Sequence, residues 1–316
     1  MTTTSEAHPR RTAATWPITA AMLPFPASTD APAEVWSAAL AEVAFEGFTE
    51  VDLTDSWVRC GDLDAARLDE LAAVLRERAL VPEAMSVIRR SVIDPEAGDD
   101  NLAYSHRSLE AAARLGCSVV SVGLHRPLLP AQREALWFWT VDGPHDSFDD
   151  ETWATAVSRI RELGDHAQQL GLQLSLEMYE DTLIGTAASA VRLVTDVAHD
   201  SVGLNPDLGN LFRLHRQVEP FGEAVAACLP HSNYWHVKNY YRLEDTTTGV
   251  ILSAPAPMES GSMDYRSAVR LAVQVGFDGP FCVEQYGGDG LSVMASNRDY
   301  LRKLLAVATG EHLAPR

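Results

Sequence analysis

Leu174-Ser175-Leu176-Glu177-Met178-Tyr179-Glu180 is a short apolar run that ends in a carboxylate. Two later segments also end in a carboxylate, Leu204-Asn205-Pro206-Asp207 and Phe281-Cys282-Val283-Glu284, and a third, Tyr234-Trp235-His236-Val237-Lys238, offers a histidine instead. Each puts a side chain able to hold a metal ion where a predicted strand stops. Outward from them, short β-type runs at 18–23, 49–53, 81–87, 118–124, 173–178, 202–205, 234–237 and 280–284 alternate with helical patterns at 33–45, 65–79, 101–115, 153–170, 187–197, 219–228, 265–275 and 292–308. Leu68, Leu71, Ala72 and Leu75 recur with the spacing of a buried helix stripe. Gly47, Gly116, Gly171 and Gly276 stand where helices hand over to strands, the place of C-terminal caps. Regular strand–helix alternation with this repeat number predicts a (β/α)8 TIM barrel, one domain over residues 16–316 behind a flexible polar tail, 1–15. A doubly wound sheet would want a glycine-rich turn after its first strand, where Pro24-Phe25-Pro26 stands instead.

The bulk numbers agree with one large core: 316 residues, 46% of them hydrophobic. A formal charge of -19, from 25 Lys and Arg against 44 Asp and Glu, repels a phosphate backbone and leaves no basic stripe, so nucleic acid is not expected as a partner. Cys60, Cys117, Cys228 and Cys282 are far apart and form no CxxC pair, which fits buried thiols in a reducing cytoplasm. No stretch reaches the ~18 apolar residues of a membrane span. Arg10-Arg11 faintly resembles a twin-arginine signal, but Thr, Pro and Trp interrupt the apolar stretch behind it. The barrel needs 18–23 as its first strand, so a cytoplasmic location is expected.

Two connections are long, 125–149 after the fourth strand and 240–263 after the seventh. Both fall on the face where barrel enzymes keep their sites, so both are read as lids. The first holds Trp137, Phe138, Trp139 and His145.

Taken singly, Glu177 or Glu284 reads as a loop residue and His236 as a hydrogen-bonded core histidine. Glu177, Asp207, His236 and Glu284 in register after four successive strands converge on one opening of a closed barrel. Three carboxylates and an imidazole suit a divalent cation, Mn²⁺ first, with Mg²⁺, Co²⁺ or Zn²⁺ as alternatives. Without a cation the carboxylates would repel and one would tend to protonate.

The pieces Leu176-Glu177, Asn205-Pro206-Asp207-Leu208-Gly209-Asn210, His236-Val237-Lys238-Asn239 with Arg242, and Gly261-Ser262-Met263-Asp264-Tyr265 leading through Gly276-Phe277-Asp278-Gly279 to Val283-Glu284 resemble the xylose isomerase-like sugar isomerase and epimerase superfamily. The resemblance spans the chain after its tail and is most specific in the second half. It implies that Glu177, Asp207, His236 and Glu284 are the metal ligands. It also implies that Glu177 and Glu284 form the acid/base pair that moves a proton on the carbon beside a carbonyl. Lys238 and Arg242 are expected to bind substrate oxygens or balance charge.

Two departures bear on the branch. Keto-sugar epimerases usually carry histidine three residues after the Asp, where this chain has Asn210. Many relatives read His-Val-Lys-Asp, and here the fourth residue is Asn239. With Tyr179, Tyr234, Trp235, Tyr240, Tyr241 and Tyr286 near the ligands, the expected substrate has an apolar or aromatic body. The branch this resembles is the α subunit of C-glycoside deglycosidases, which cleave 3-keto C-glycosides with a divalent metal and a small β subunit, in an oligomer. There His145 would act as a base, and His125, Trp139, Tyr179 and Asn210 would touch substrate. The alternatives are a keto-sugar isomerase or 3-epimerase, an inosose-type dehydratase, or a catalytically silent barrel serving assembly. The metal-cluster nucleases of the superfamily need further ligands and a basic surface that this sequence does not offer.

Overall fold

A computed structural model describes residues 11–313. In chain order it contains β1 (Ile18–Ala21), α1 (Ala33–Phe45), β2 (Glu50–Thr54), α2 (Ala65–Glu77), β3 (Val81–Val87), α3 (Gly98–Leu115), β4 (Val119–Gly123), α4 (Pro130–Glu134), α5 (Asp150–Gln169), β5 (Gln173–Glu177), α6 (Ala187–Val197), β6 (Val202–Asn205), α7 (Gly209–Phe212), α8 (Phe221–Cys228), β7 (Trp235–Val237), β8 (Asn239–Glu244), β9 (Ile251–Ala256), α9 (Tyr265–Val275), β10 (Phe281–Val283) and α10 (Gly290–Ala308).

Eight strands pair side by side in the order β6-β5-β4-β3-β2-β1-β10-β7, every pairing parallel. With helices between them this is a (β/α)8 barrel, nearly closed, of one domain. The remaining seam, between β6 and β7, is held by a single bridge, Leu204 to Ser232. A side chain completes it: Asn205 Oδ1 accepts from the His236 backbone N–H at 2.7 Å. Both faces of the barrel strands are covered, so β1, β4 and β10 are buried along their whole length.

The helices form for local reasons legible in the sequence. In α2 the Asp64 carboxylate accepts from Arg67 N at 2.9 Å as the N-cap, and Leu68, Leu71, Val74 and Leu75 are buried on one stripe. Gly276 ends α9 at φ 83°, a left-handed conformation that a side chain would strain, and the chain turns there towards β10.

Residues 1–10 of the expected tail lie outside the described residues. From Ala13 the chain is anchored: its N–H donates to Glu311 Oε1 at 2.8 Å, and Arg302 Nη1 donates to its carbonyl at 2.6 Å. Trp16 is buried against Phe277 and Phe281 and donates its indole N–H to Gly279 O at 2.8 Å.

The connection after β7 differs from the irregular lid expected of it. It is a hairpin, β8 antiparallel to β9, with Tyr241 opposite Ala254 and Leu243 opposite Leu252. Its tight end is fixed by Asp245 Oδ1, which accepts from Thr247 N at 2.8 Å, and by Gly249 at φ 73°. No described helix is long and apolar enough to cross a membrane. All four cysteines are free and buried.

Candidate active site at the strand ends

The C-terminal strand ends bring together the side chains that the sequence pattern singles out. Glu177 closes β5, Asp207 follows β6, His236 lies within β7 and Glu284 follows β10. All four are buried. One ligand atom from each of Glu177, Asp207 and His236 lies within 4.8 Å of the others. His236 Nδ1 is 3.7 Å from Asp207 Oδ2 and 3.9 Å from Glu284 Oε1.

A fourth acid, absent from the sequence pattern, sits behind the histidine. Asp52 of β2 is fully buried, and its Oδ2 accepts from Tyr234 OH at 2.5 Å and Ser86 Oγ at 2.6 Å and lies 3.4 Å from His236 Nε2. The ring is thereby oriented: Nε2 faces an aspartate and Nδ1 faces the other carboxylates. Such a carboxylate behind a ligating imidazole fixes its tautomer and leaves the opposite nitrogen's lone pair for a metal. Its one signal in the sequence is a charged residue inside the apolar run Val51-Asp52-Leu53.

The donor set fits a divalent cation. Among the described residues His236 Nδ1 and Asp207 Oδ1 are buried without a hydrogen-bond partner, and both belong to the cluster. Orphaned donors and acceptors of this kind are rare in folded proteins and call for a partner.

Lys238 supplies positive charge within the same cluster. Its Nζ donates to Asp207 Oδ2 at 2.5 Å and also to Glu284 Oε2. Gly209 makes room for it, since a Cβ there would come within 2.5 Å of Lys238 Cγ. Burial works against the lysine's charge, but Asp207 and Glu284 outweigh it and hold the ammonium well above its ordinary range. Burial likewise opposes the charge of Asp207, yet Lys238 and His236 prevail and keep its carboxyl low. Glu177 goes the other way. Burial, with Asp207 and Glu284 adding to it against the pull of His236 and Lys238, raises its carboxyl to about 7. The Asn210 amide N–H donates to Glu177 Oε1 at 3.2 Å and to Met178 O at 3.0 Å, which orients that carboxylate.

Outside the cluster lies a cavity of about 160 Å³ whose walls include Arg89, His125, Arg126, Trp139, Tyr179 and Glu180. His125 is buried and stacks on Tyr179 with centroids 4.3 Å apart, and burial first, then Arg89, Arg213 and Lys238, hold its imidazole well below its ordinary range. Arg213, also without a signal in the sequence pattern, is fully buried and pairs through Nη2 with both oxygens of Glu180 at 3.0 Å. The rings of Phe138, Trp139, Tyr179 and Tyr286 surround its guanidinium at 4.7 to 5.7 Å. Trp139 is buried and donates to Ser253 Oγ at 3.3 Å, so the first long connection is tied to the hairpin across the barrel mouth.

Two expected site residues are placed elsewhere. Arg242 has its side-chain donors taken up by neighbouring segments of its own chain. Its Nη1 donates to the carbonyls of Phe212 at 2.9 Å and Leu214 at 2.6 Å, its Nη2 to Arg216 O at 2.6 Å and its Nε to Glu244 at 2.6 Å. It clamps the segment after α7 to the hairpin. His145 is half-exposed on an outer groove, 2.9 Å from Asp142 and 3.6 Å from Asp181, apart from the buried cluster.

Fold and site together define a parallel (β/α)8 barrel in which three carboxylates and a histidine from four strand ends meet at the C-terminal mouth. Residues 38–305 match the family described as xylose isomerase-like TIM barrel. The chain belongs to that family. It is 46% identical to a xylose isomerase-like TIM barrel protein from Mycobacterium smegmatis whose structure is in complex with magnesium, with 95% of this chain and 99% of that one covered and a TM-score of 0.91. It is 23% identical over 273 residues to the L-ribulose-5-phosphate 3-epimerase UlaE of Salmonella paratyphi C, covering 83% of this chain and 86% of the relative. Similarity to the D-psicose 3-epimerase of Agrobacterium fabrum is 27% over 139 residues, 42% of this chain, and spans only 43% of that enzyme's length.

Proposed function

We propose that this protein is a divalent-metal-dependent epimerase or isomerase of a keto-sugar, working by proton transfer at the carbon beside the carbonyl. The observation that carries the reading is the pair Glu177 and Glu284: two buried carboxylates on different strand ends, flanking the same histidine and aspartate. Glu177, Asp207, His236 and Glu284 would hold the cation, which when bound polarises the substrate's oxygens and lowers the cost of removing a carbon-bound proton. Mn²⁺ and Mg²⁺ both suit this donor set.

Glu177, whose carboxyl burial raises to about 7 in the metal-free site, would be ionised once the cation is held and so able to take a proton from carbon, and Asn210 keeps its carboxylate in one orientation. Glu284, to which Lys238 Nζ donates through one oxygen, would take up a proton from solvent and pass it to the carbon, while Glu177 releases the proton it abstracted to solvent before the next turnover. Return to the opposite face of the same carbon inverts it, and return to its neighbour moves the carbonyl. Trp139, Tyr240 and Tyr286 pack edge to face over the mouth and keep water from the intermediate.

Cleavage of a 3-keto C-glycoside with a small β subunit, the finer expectation drawn from the aromatic mouth, fits less well. Of the rings counted on for an aromatic substrate, Trp139, Tyr179, Tyr240 and Tyr286 are packed on one another or on Arg213, and Tyr234 and Trp235 are buried in the core. The cavity beside them is small, and its lining is rich in charged side chains.

The test is to assay the protein loaded with Mn²⁺ or Mg²⁺ on free ketohexoses, ketopentoses and their phosphates, with a 3-keto C-glycoside in parallel. Epimer or isomer formation that falls by about 10² or more in Glu177→Gln and Glu284→Gln supports the reading. Aglycone release without any epimer from a free or phosphorylated ketose would overturn it.

A further inference from the structure

The small cavity outside the carboxylate cluster has one arginine on its wall that, among the described residues, no carboxylate pairs with. Most arginines in and around it are matched: Arg126 lies 3.9 Å from Asp146, Arg216 is 2.6 Å from Asp181, and Arg213 pairs with Glu180 within the aromatic cage. Asp142, at the outer rim, is exposed and lies 2.9 Å from His145, with no arginine paired to it among the described residues. Arg89 is left over. Among the described residues it pairs with no carboxylate, and its guanidinium donates only to Tyr179 OH at 2.9 Å and to Arg126 O at 3.2 Å.

Arg89 is also held in an uncommon backbone conformation. It follows β3 at φ 55°, the left-handed region, which is strained for a non-glycine residue and persists where surrounding contacts impose it. Its side chain is packed against the rings of Phe138 and Tyr179, 5.0 and 5.4 Å from the guanidinium carbon. The result is a planar, permanently charged fork presented on the cavity wall beside a neutral histidine, His125. None of Glu177, Asp207, His236 and Glu284 lines this cavity, whereas Tyr179, two residues beyond Glu177, does. His125, on the same wall, packs against Gly123 beside the Glu177 carbonyl, so the cavity adjoins the cluster and could receive the far end of a substrate that reacts there.

We propose that Arg89 binds an oxyanion at the far end of the substrate, so that the physiological keto-sugar carries a phosphate ester or a carboxylate and is not an uncharged sugar. The inference rests on the keto-sugar reading of the site and adds the charge of its substrate. A guanidinium meets either oxyanion with two parallel N–H donors, and an uncharged hydroxymethyl group offers no such match.

Isothermal titration of the Mg²⁺-loaded protein with L-ribulose 5-phosphate, with a ketohexuronate and with uncharged L-ribulose tests it. At least one charged sugar is expected to bind about tenfold or more tightly than the uncharged one, and which of the two does so identifies the oxyanion. In Arg89→Met the ratio of charged to uncharged affinity should fall by about tenfold, and Arg89→Lys should recover part of it. Thermal melts establish that both variants fold. Equal affinity of the wild type for all three sugars, or an unchanged ratio in a folded Arg89→Met, overturns the proposal. Because the titration reads binding, an Arg89-dependent preference without turnover would sink the epimerase reading and leave the anion site standing. Turnover without the preference would do the reverse.

Discussion

Replacing Asp52 with Asn removes one negative charge from behind His236 while keeping the side chain's shape. In the wild type, Asp52 Oδ2 is approached by Tyr234 OH at 2.5 Å, Ser86 Oγ at 2.6 Å and His236 Nε2 at 3.4 Å, all in a fully buried position. The hydroxyls can rotate to suit an amide, but the imidazole loses the anion that favours a proton on Nε2 and a lone pair on Nδ1. Changes to such outer partners cost about 10- to 100-fold in metal affinity, or roughly 1.4 to 2.8 kcal/mol. The assay is isothermal titration of metal-free wild type and Asp52→Asn with Mn²⁺ and Mg²⁺, after circular dichroism has shown that the variant is folded. A folded variant whose affinity stays within about twofold of wild type would refute the assignment of Nδ1 as a ligand oriented by Asp52.

In the metal-free protein, stability should fall as pH rises between the ordinary glutamate range and about 7, because the folded Glu177 holds its proton to about 7 against an ordinary 4.5. Below about 4.5 this contribution is fully present; above 7 it is gone. The shift corresponds to about 3 kcal/mol at most, shared with the neighbouring acids, and denaturant melts of wild type and Glu177→Gln at about pH 5 and pH 8 should show the variant with the shallower dependence. Equal slopes would contradict it. Metal affinity should rise with pH up to about 7 for the same reason, since binding must displace that proton, and titrations at about pH 6 and pH 8 check this. Arg242→Met should cost about 1–3 kcal/mol of stability by stranding the part-buried carbonyls of Phe212 and Leu214, with metal affinity little changed; thermal melting and metal titration separate the two.

The barrel is legible in the sequence because its signals are periodic: strand runs, helical stripes and capping glycines repeat along the chain, and each points to the same architecture. The cluster is legible because a barrel sends every strand's end to one place, so four positions after four strands need no further information to be neighbours. What stays hidden depends on contacts between distant segments. Asp52 reads as a stray charge until Tyr234, Ser86 and His236 are folded around it. Arg213 gains meaning only from Glu180 and four rings that come from three separate connections. Arg242 is misplaced for the converse reason, since the backbone carbonyls that occupy its donors leave no mark in the sequence. The hairpin after β7 reads as a loop because its alternation is interrupted by Pro255 and Thr-rich polar residues. The aromatic mouth reads as a substrate surface, because composition cannot show that the rings pack on one another.

The central claim is that Glu177 and Glu284 exchange a proton with the carbon beside the carbonyl of a keto-sugar. Its most direct test is solvent exchange. The metal-loaded protein is incubated in D₂O with L-ribulose 5-phosphate and with D-psicose, and deuterium in recovered substrate and product is read by NMR. Deuterium is expected at the carbon next to the carbonyl in the epimerised or isomerised product, with loss of that label in Glu177→Gln and in Glu284→Gln. Unlabelled product, or labelling that survives both substitutions, would contradict it.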